Sequence, residues 1–456
     1  QSWKMKKLLQ SRFVSNYGMI FVLMLLCAYF SVATIDQQDP VTVRAANKIV
    51  AFVNGQPVAK NVLVVVPNGV EDLRFSNAIQ QGIGQGHSSI VGAVAGNPAQ
   101  TRAEFNRLGA AGTRVDFVVT QYAAAKWDIL TTAGREELRQ QYPSLGPMDV
   151  VKPASYSWPT FLTPQHLLTV ANQTALTAIV AIGMTMVIIT AGIDLSVGSL
   201  IALSGVVVAT LVGRMAGEGD PAVLSLILCG LIAVAVCALL GAGSGLLATW
   251  FEVPAFIVTL GVMQIARGLA HKVAGGSKPV RVHSEMFHEL SAGTEILGIP
   301  NPVIIMLLLY VAAHVLMSRT TLGRYLYAVG GNPEAARLSG VPVKTVVVFA
   351  YAVCGALAGL GGVLDASLFR TARASGALGY ELQIIAAVVV GGTSLAGGQG
   401  KVLGTLIGAL ILGVISDGMR LTDVEYDTQL IVFGSVIVVA VLVDKLKSRD
   451  WRMLRG

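Results

Sequence analysis

From about residue 166 almost to the C-terminus the chain is one apolar run after another, at about 166–190, 196–213, 222–249, 254–273, 300–318, 343–364, 382–396, 400–418 and 428–444. A further run, Tyr17 to Thr34, stands near the N-terminus. About 18 apolar residues are enough to cross a bilayer as a helix. Such a chain has few folds open to it, because in lipid every backbone group must be satisfied internally. The reading is an α-helical polytopic membrane protein of about ten transmembrane helices. Composition agrees, with 54% hydrophobic and 13% charged residues, where soluble proteins carry about 25% charged.

The net charge of +7 requires no nucleic acid. Lysine and arginine gather at the cytoplasmic ends of membrane helices. Lys4, Lys6, Lys7 and Arg12 precede the first run, and Lys445, Lys447, Arg449, Arg452 and Arg455 follow the last. Both termini therefore read as cytoplasmic, in a multi-pass membrane protein with lipid around it. An even number of spans follows. The loop between the sixth and seventh runs carries Arg319, Arg324, Arg337 and Lys344, which also places it inside. One loop argues the other way: residues 274–299, placed outside, hold Lys278 and Arg281 beside Glu285, Glu289 and Glu295. Met5 is a possible natural start, and the run after it reads as an uncleaved first span rather than a signal peptide. Cys27, Cys229, Cys237 and Cys354 lie in apolar runs and read as small packing residues.

The organisation expected is a cytoplasmic N-terminus with the first helix (1–35), an extracytoplasmic insertion (36–160), a core holding the other helices (161–444) and a basic tail (445–456). In the insertion NVLVVVP (61–67), SSIVGAVAG (88–96) and TRVDFVVTQ (113–121) read as strands. They alternate with helices at 70–83, from Pro98 to Gly112, and at 123–134. Strands alternating with helices make parallel βαβ units. Leu63, Val65, Val91, Val94, Val118 and Val119 are the expected core. Parallel sheets are covered on both faces, and three helices cover two faces only partly. An apolar face is thus expected to need a partner: the same domain of a second copy, a soluble protein docking from outside, which is favoured, or the outer rim of the spans.

Between the eighth and ninth runs lies GGTSLAGGQGK (391–401). It is no phosphate-binding loop: Lys401 precedes Val402 where Ser or Thr would hold magnesium, and Leu395 stands where the first glycine belongs. Gly391, Gly392, Gly397 and Gly398 instead read as a re-entrant turn or tight loop where backbones approach closely. AGIDLSVGS (191–199) is a similar break, with Gly192, Asp194, Ser196 and Gly198. Asp194 is the only charge between Gln165 and Arg214, and a lone acid at membrane depth invites a functional reading. The plainer reading is that it caps a helix starting at Leu195 or Ser196. Gln173, Thr174, Thr185 and Gln264 are the polar residues within apolar runs offered for a substrate path.

Three stretches carry a family resemblance: QTALTAIVAIGMTMVIITAGIDLSVGS (173–199), LGRYLYAVGGNPEAARLSGV (322–341) and GYELQIIAAVVVGGTSLAGGQGKVLGTLIGALILGV (379–414). They resemble the sugar permeases of bacterial ABC importers, the ribose, xylose and galactose type. Branched-chain amino-acid and nucleoside permeases are more distant likenesses. The resemblance implies a permease that pairs with a second copy and is driven by two cytoplasmic ATPase subunits. ATP and Mg would sit on those subunits, with no cofactor or metal in this chain. A periplasmic binding protein would deliver the sugar. It also implies a short coupling helix in the loop between the sixth and seventh runs, at Asn332, Glu334, Ala335, Ala336 and Gly340. Pro333 suits a first helical turn and Glu334 the positive end of its dipole. The insertion departs from the pattern, since such permeases join their first two helices by a short loop. Its NPAQTRAEFNRLGAAGTRVDFVVT weakly resembles one lobe of a sugar-binding protein.

Two other function classes are open to a chain of this kind. A membrane enzyme would need a nucleophile–base pair or a metal cluster, and His87, His166, His271, His283, His288 and His314 show no such spacing. A membrane-anchored sensor would bind its ligand in the insertion, and the length of the resemblance weighs against it.

Overall fold

A computed structural model describes residues 12–38, 40–216, 220–294 and 298–453. Lys4, Met5, Lys6, Lys7, Glu295 and Arg455 lie outside the described residues. The chain divides into two compact units, Ile35–Thr160 and the remainder.

In the first unit the chain enters and leaves through an antiparallel pair, β1 (Ile35–Gln38) on β6 (Tyr156–Pro159), with Ile35 opposite Pro159. Between them a parallel sheet has the order β3-β2-β4-β5, formed by β2 (Asn61–Val66), β3 (Ser89–Ala95), β4 (Phe117–Thr120) and β5 (Asp149–Val151). Period-two alternation along β2 sends Val62, Val64 and Val66 to one face and Leu63 and Val65 to the other, all fully buried. The first face is covered by α2 (Val43–Asn54) and α3 (Val70–Gly84), through Ile49, Val53, Phe75 and Ile79. The second packs on α4 (Pro98–Ala110) and α6 (Thr132–Gln141), through Phe105, Leu108 and Leu138.

This corrects three expectations. Both faces of the sheet are covered, so no bare apolar face requires a partner; α2, whose apolar positions Ala46, Ile49 and Val53 follow helical spacing, supplies the missing cover. The helix expected at 123–134 is broken into α5 (Tyr122–Ala125), a 3-10 turn Asp128–Leu130, and α6, because the Thr131 hydroxyl accepts from the Gly134 N–H and restarts the helix. Leu63, Val65, Val118 and Val119 are buried as expected, but Val91 and Val94 are half-buried because β3 is an edge strand. β4 is also shorter than its apolar run. α4 begins with Pro98 in its first turn, as expected, and Asn97 and Gln100 on either side of it form a reciprocal capping box.

The second unit is a helical bundle: α1 (Arg12–Ala33), α7 (Pro164–Ile189), α8 (Val197–Ala216), α9 (Val223–Trp250), α10 (Ala255–Ala274), α12 (Asn301–Arg319), α15 (Val343–Phe369), α16 (Tyr380–Val390), α17 (Val402–Leu421) and α18 (Tyr426–Met453). Short helices lie in two connections: α11 (Glu285–Ala292) before α12, and α13 (Thr321–Gly331) with α14 (Pro333–Leu338) after it. Among the described residues six helices are long and apolar enough to cross a membrane: α7, α8, α9, α12, α15 and α17. This is a polytopic α-helical membrane protein.

Lipid offers no hydrophobic drive between helices, so close packing through small residues does the work. Gly241 and Gly245 on α9 face Gly355 and the backbones of Tyr351 and Val348 on α15; Gly359 of α15 faces Val234 in return. The lipid side of α9 stays apolar and exposed at Leu224, Leu231 and Leu239. Cys229, Cys237 and Cys354 are buried and Cys27 is half-buried. One run is shorter than its sequence: the helix expected over 382–396 stops at Val390, where Gly391 and Gly392 (φ 85°) turn the chain.

Candidate functional site

The two helix breaks and the α13–α14 segment, far apart in sequence, meet at one junction. α7 ends at Ile189, and its carbonyl accepts from the Gly398 N–H at 2.8 Å. Gly330 in the last turn of α13 is wedged between them; a Cβ there would lie 2.6 Å from the Gly398 nitrogen and 2.8 Å from the Ile189 carbonyl carbon. Real side-chain carbons do not come so near, and only glycine fits. The Tyr327 hydroxyl donates to the Gly400 carbonyl at 2.9 Å, a second tie between α13 and the 391–401 turn. Gly397 and Gly398 both hold positive φ in that turn, and Gly397 backs onto Ala191, itself at φ 62°. A non-glycine residue there costs about 1–2 kcal/mol. Gly391 packs against the Gly404–Thr405 backbone of α17.

The acid of the first break is placed differently from a helix cap. α8 starts at Val197, and the Asp194 carboxylate accepts from the Ser196 N–H (2.9 Å) and hydroxyl (2.6 Å), two residues on, as in an Asx turn. Asp194 and Ser196 are fully buried. Gly192 lies under the Tyr351 hydroxyl, and Gly198 under the Glu381 carboxylate.

In α14 the cap is as expected: Asn332 accepts from the Ala335 N–H at 3.0 Å, with Pro333 in the first turn. The helix closes through Gly340 (φ 82°), with the Val341 N–H reaching back to the Ala336 carbonyl at 3.0 Å. Glu334 pairs with Arg337 on its exposed side. Ala335 is exposed, while Ala336 turns inward onto the bundle. The sequence reading missed Leu338, which at 81% exposure is the most naked large apolar residue of the segment.

A cavity of about 140 Å³ with a mixed polar and apolar lining opens among α7, α16, α17 and α18. A water's share of liquid is about 30 Å³, so the space suits a few waters or one small polar solute. Gln173, Thr174, Gln383, Ser416, Asp417 and Phe433 are among its lining. Asp417, 3% exposed, is bound by His166 and by Arg420, and Arg420 also donates to Gln173 at 2.9 Å. The guanidinium balances a carboxylate that would otherwise be costly to bury. Of the four polar residues offered for a substrate path, Gln173 and Thr174 line this cavity. Thr185 does not: it is fully buried and bonded to Thr405 at 2.7 Å, joining α7 to α17. Gln264 stands exposed on α10. Asp417, Arg420 and His166 were not singled out, although ISDGMR closes the apolar run 400–418 and gave the same signal that drew attention to Asp194.

Among the described residues no group of three His, Cys, Asp or Glu is placed to hold a metal. The cavity sets hydroxyl, amide and carboxylate groups inside an apolar bundle, and the junction is made of backbone-tight contacts. Residues 166–441 match the family described as "Branched-chain amino acid transport system / permease component".

The chain belongs to this permease family. Among relatives, it is 43% identical over 294 residues to the ribose import permease protein of Escherichia coli K12, covering 64% of this chain and 88% of that one. It is 42% identical over 306 residues to the ribose import permease protein of Bacillus subtilis 168, covering 67% and 92%. It is 35% identical over 289 residues to the D-allose transport system permease protein of Escherichia coli K12, covering 63% and 86%. No solved structure matches the chain. The family match lies wholly outside residues 35–160, and the cavity, the junction and α14 all fall within it.

Proposed function

We propose that this chain is the transmembrane permease subunit of an ABC importer that moves a monosaccharide across the cytoplasmic membrane. The observation that carries the reading is the identity of 43% across 88% of a ribose import permease. The partners proposed are cytoplasmic ATPase subunits that hold ATP and Mg, a periplasmic sugar-binding protein, and a second copy of this chain.

In this reading α1, α7–α10, α12 and α15–α18 make ten spans with both termini cytoplasmic, and residues 35–160 are periplasmic. α13 and α14 then face the cytoplasm, where Leu338, Ala335 and the Glu334–Arg337 pair offer an apolar tip with a charged rim to a groove on the ATPase. Movement of α14 reaches Gly330 through the last turn of α13, and from there both helix breaks at once. The carboxylate, amides and hydroxyls of the cavity accept from and donate to sugar hydroxyls, and Phe433 offers an apolar face.

The test is reconstitution in proteoliposomes with the ATPase subunits and binding protein. ATP-dependent uptake of labelled ribose, absent without the ATPase subunit, is the expected result. Uptake of leucine or a nucleoside in its place would turn the assignment to the other branches of the family. Binding of a sugar to residues 35–160 with no uptake at all would favour a sensor.

A further inference from the structure

The chain leaves the helical bundle and returns to it at one place. α1 ends at Ala33, and next to it the Thr34 hydroxyl donates to the Phe30 carbonyl at 2.7 Å and accepts from the Phe161 N–H at 3.2 Å. Phe161 is buried, its ring centre 6.2 Å from that of Phe30. Both passing segments are gripped at one level. From there β1 and β6 pair outward as a two-stranded ribbon, Ile35 on Pro159, Asp36 on Trp158 and Gln38 on Tyr156. α7, long and apolar enough to cross a membrane, begins three residues after Phe161. The apolar run of α1, Tyr17 to Thr34, rises about 27 Å as a helix, against a hydrocarbon core of about 30 Å. It needs its whole length to cross, which puts Thr34 at the edge of the hydrocarbon.

The ribbon keeps large apolar side chains in the open. Tyr156 and Trp158, two apart on β6, share a face and are 49% and 46% exposed. Ile35 is exposed on the other face, and Tyr29 and Val32 stand open near the end of α1. Asp36, opposite Trp158, is exposed as well, so the aromatic face has a charge beside it. A strand rises about 3.3 Å per residue, so Trp158, paired two residues past Thr34, lies at most about 7 Å out, and Tyr156 about 13 Å. The headgroup layer is about 5–7 Å deep on each side. Trp158 falls at that layer, and a ribbon leaning against the surface brings Tyr156 to it. The other end of the bundle closes in a similar way. Gly183 of α7 meets Cys354 of α15 and Val180 meets Gly361, so the two helices are antiparallel and the start of α15 marks the opposite border. There Trp250, last in α9, is exposed with the Lys344 ammonium 5.7 Å from its ring centre. Tryptophan and tyrosine gather at such borders because the ring is apolar and its N–H or O–H takes a wet partner.

We propose that the β1–β6 ribbon is seated in the lipid headgroup layer, with Trp158 and Tyr156 as its anchors and the membrane surface as the partner of this face. The proposal goes beyond solute transport and rests on one part of the importer reading, that α1 crosses the membrane. The indole N–H and the phenol O–H donate to ester carbonyls and phosphate oxygens, while the rings turn to the apolar side of the layer. Lipid is the occupant because the ribbon starts two residues beyond a membrane helix whose last turns are themselves exposed, and its height coincides with that of the headgroups. A lone two-stranded pair is marginal in water, and the surface it lies on supplies the burial it lacks.

The test uses the full chain in nanodiscs of phosphatidylcholine, with its tryptophans replaced biosynthetically by fluorotryptophan and read by fluorine NMR. Trp158→Phe, or Trp158→Tyr if the first misassembles, assigns the resonance of residue 158. A nitroxide on the lipid headgroup should broaden that resonance several-fold more than a nitroxide at the acyl-chain end or a water-soluble gadolinium chelate. Leu25→Trp, at an exposed position midway along α1, adds a probe that should respond to the chain-end label. If it does so and residue 158 is broadened only by the chelate, the ribbon stands in water and the proposal is overturned. Protection of residue 158 from all three labels would overturn it too and assign the face to a second copy. Strongest broadening by the chain-end label would place it in hydrocarbon, again against the proposal. If Leu25→Trp is silent to the chain-end label, α1 is no span, and that part of the importer reading fails first and the seat of the ribbon with it.

Discussion

Gly330→Ala is the sharpest perturbation the bundle offers, because its neighbour is a control. At Gly330 the added methyl would stand 2.6 Å from the Gly398 nitrogen and 2.8 Å from the Ile189 carbonyl carbon, both backbone. Ordinary contact needs roughly 3.5–4 Å, and the Ile189 carbonyl oxygen lies nearer still to the added methyl, so the backbones must part by well over about 1 Å. Overpacking of this kind costs about 1–3 kcal/mol. Retreat also stretches the 2.8 Å bond from Gly398 to Ile189, and its loss adds about 0.5–1.5 kcal/mol. The sum is about 2–4 kcal/mol. At Gly331 an added methyl meets nothing within 4 Å, and alanine should cost nothing or gain a few tenths of a kcal/mol from helix propensity. Thermal unfolding of the purified assembly in one detergent measures the difference, and ATPase activity with and without solute measures coupling. Gly330→Ala should melt lower and lose coupling while Gly331→Ala matches wild type. Equal behaviour of the two alanine variants would refute the close-approach account.

Tyr327→Phe removes the hydroxyl that holds the Gly400 carbonyl and should cost about 1 kcal/mol, read in the same melts. Gly340→Trp should uncouple ATP hydrolysis from uptake without preventing insertion, because φ 82° strains any side chain at the end of α14; wild-type uptake would argue against docking there. In the insertion, burial works to raise the Asp116 carboxyl pKa, but the Asn61 N–H and Arg114 outweigh it and hold it low. Its stabilisation is therefore present above the unfolded value of about 3.9 and is lost as pH falls through the depressed folded value. Protease cleavage within 61–120 should rise across that window, and the rise should flatten in Asp116→Asn. Because Ile35 pairs with Pro159 and Gln38 with Tyr156, replacing 39–155 by a two-residue Asn-Gly turn should close a hairpin and leave a membrane-inserted bundle. Loss of the bundle, read by size-exclusion chromatography, would show that it depends on the insertion.

Much of the bundle was legible because membrane helices announce themselves by length and apolarity alone; α16, which stops six residues short of its run, and α18, which ends nine past it, are the largest departures. Legibility failed where a local signal was weaker than its neighbours. α2 has only twelve residues, with Arg44 and Lys48 among its apolar positions, and without it the sheet seemed half covered. The end of α16 was obscured because Thr393 to Ala396 keep the chain mildly apolar after Gly391 has already turned it. Thr185 shows a limit of polarity as a guide: inside a bundle a hydroxyl bonded to the Ala181 carbonyl and to Thr405 is a packing residue.

The glycines make the wider point. Read singly, GGTSLAGGQG and AGIDLSVGS mark places where helices break, and YAVGGNPEAAR marks a turn before a short helix. Nothing in any of the three says that they touch. The contact depends on where α7 ends after 26 residues and α13 after 11, lengths that bring Ile189, Gly330 and Gly398 to one level. Each backbone then supplies what the others lack: Ile189 has a helix-end carbonyl free of its ladder, Gly398 an N–H freed by the turn, and Gly330 the missing side chain that lets them meet. A side chain at any of these positions facing the junction would separate the segment nearest α14 from both breaks. The cavity edge at Gln173 lies about sixteen residues back along α7 from Ile189, roughly 24 Å at helical rise. A rigid α7 therefore carries a shift at the junction directly to the residues that line the cavity.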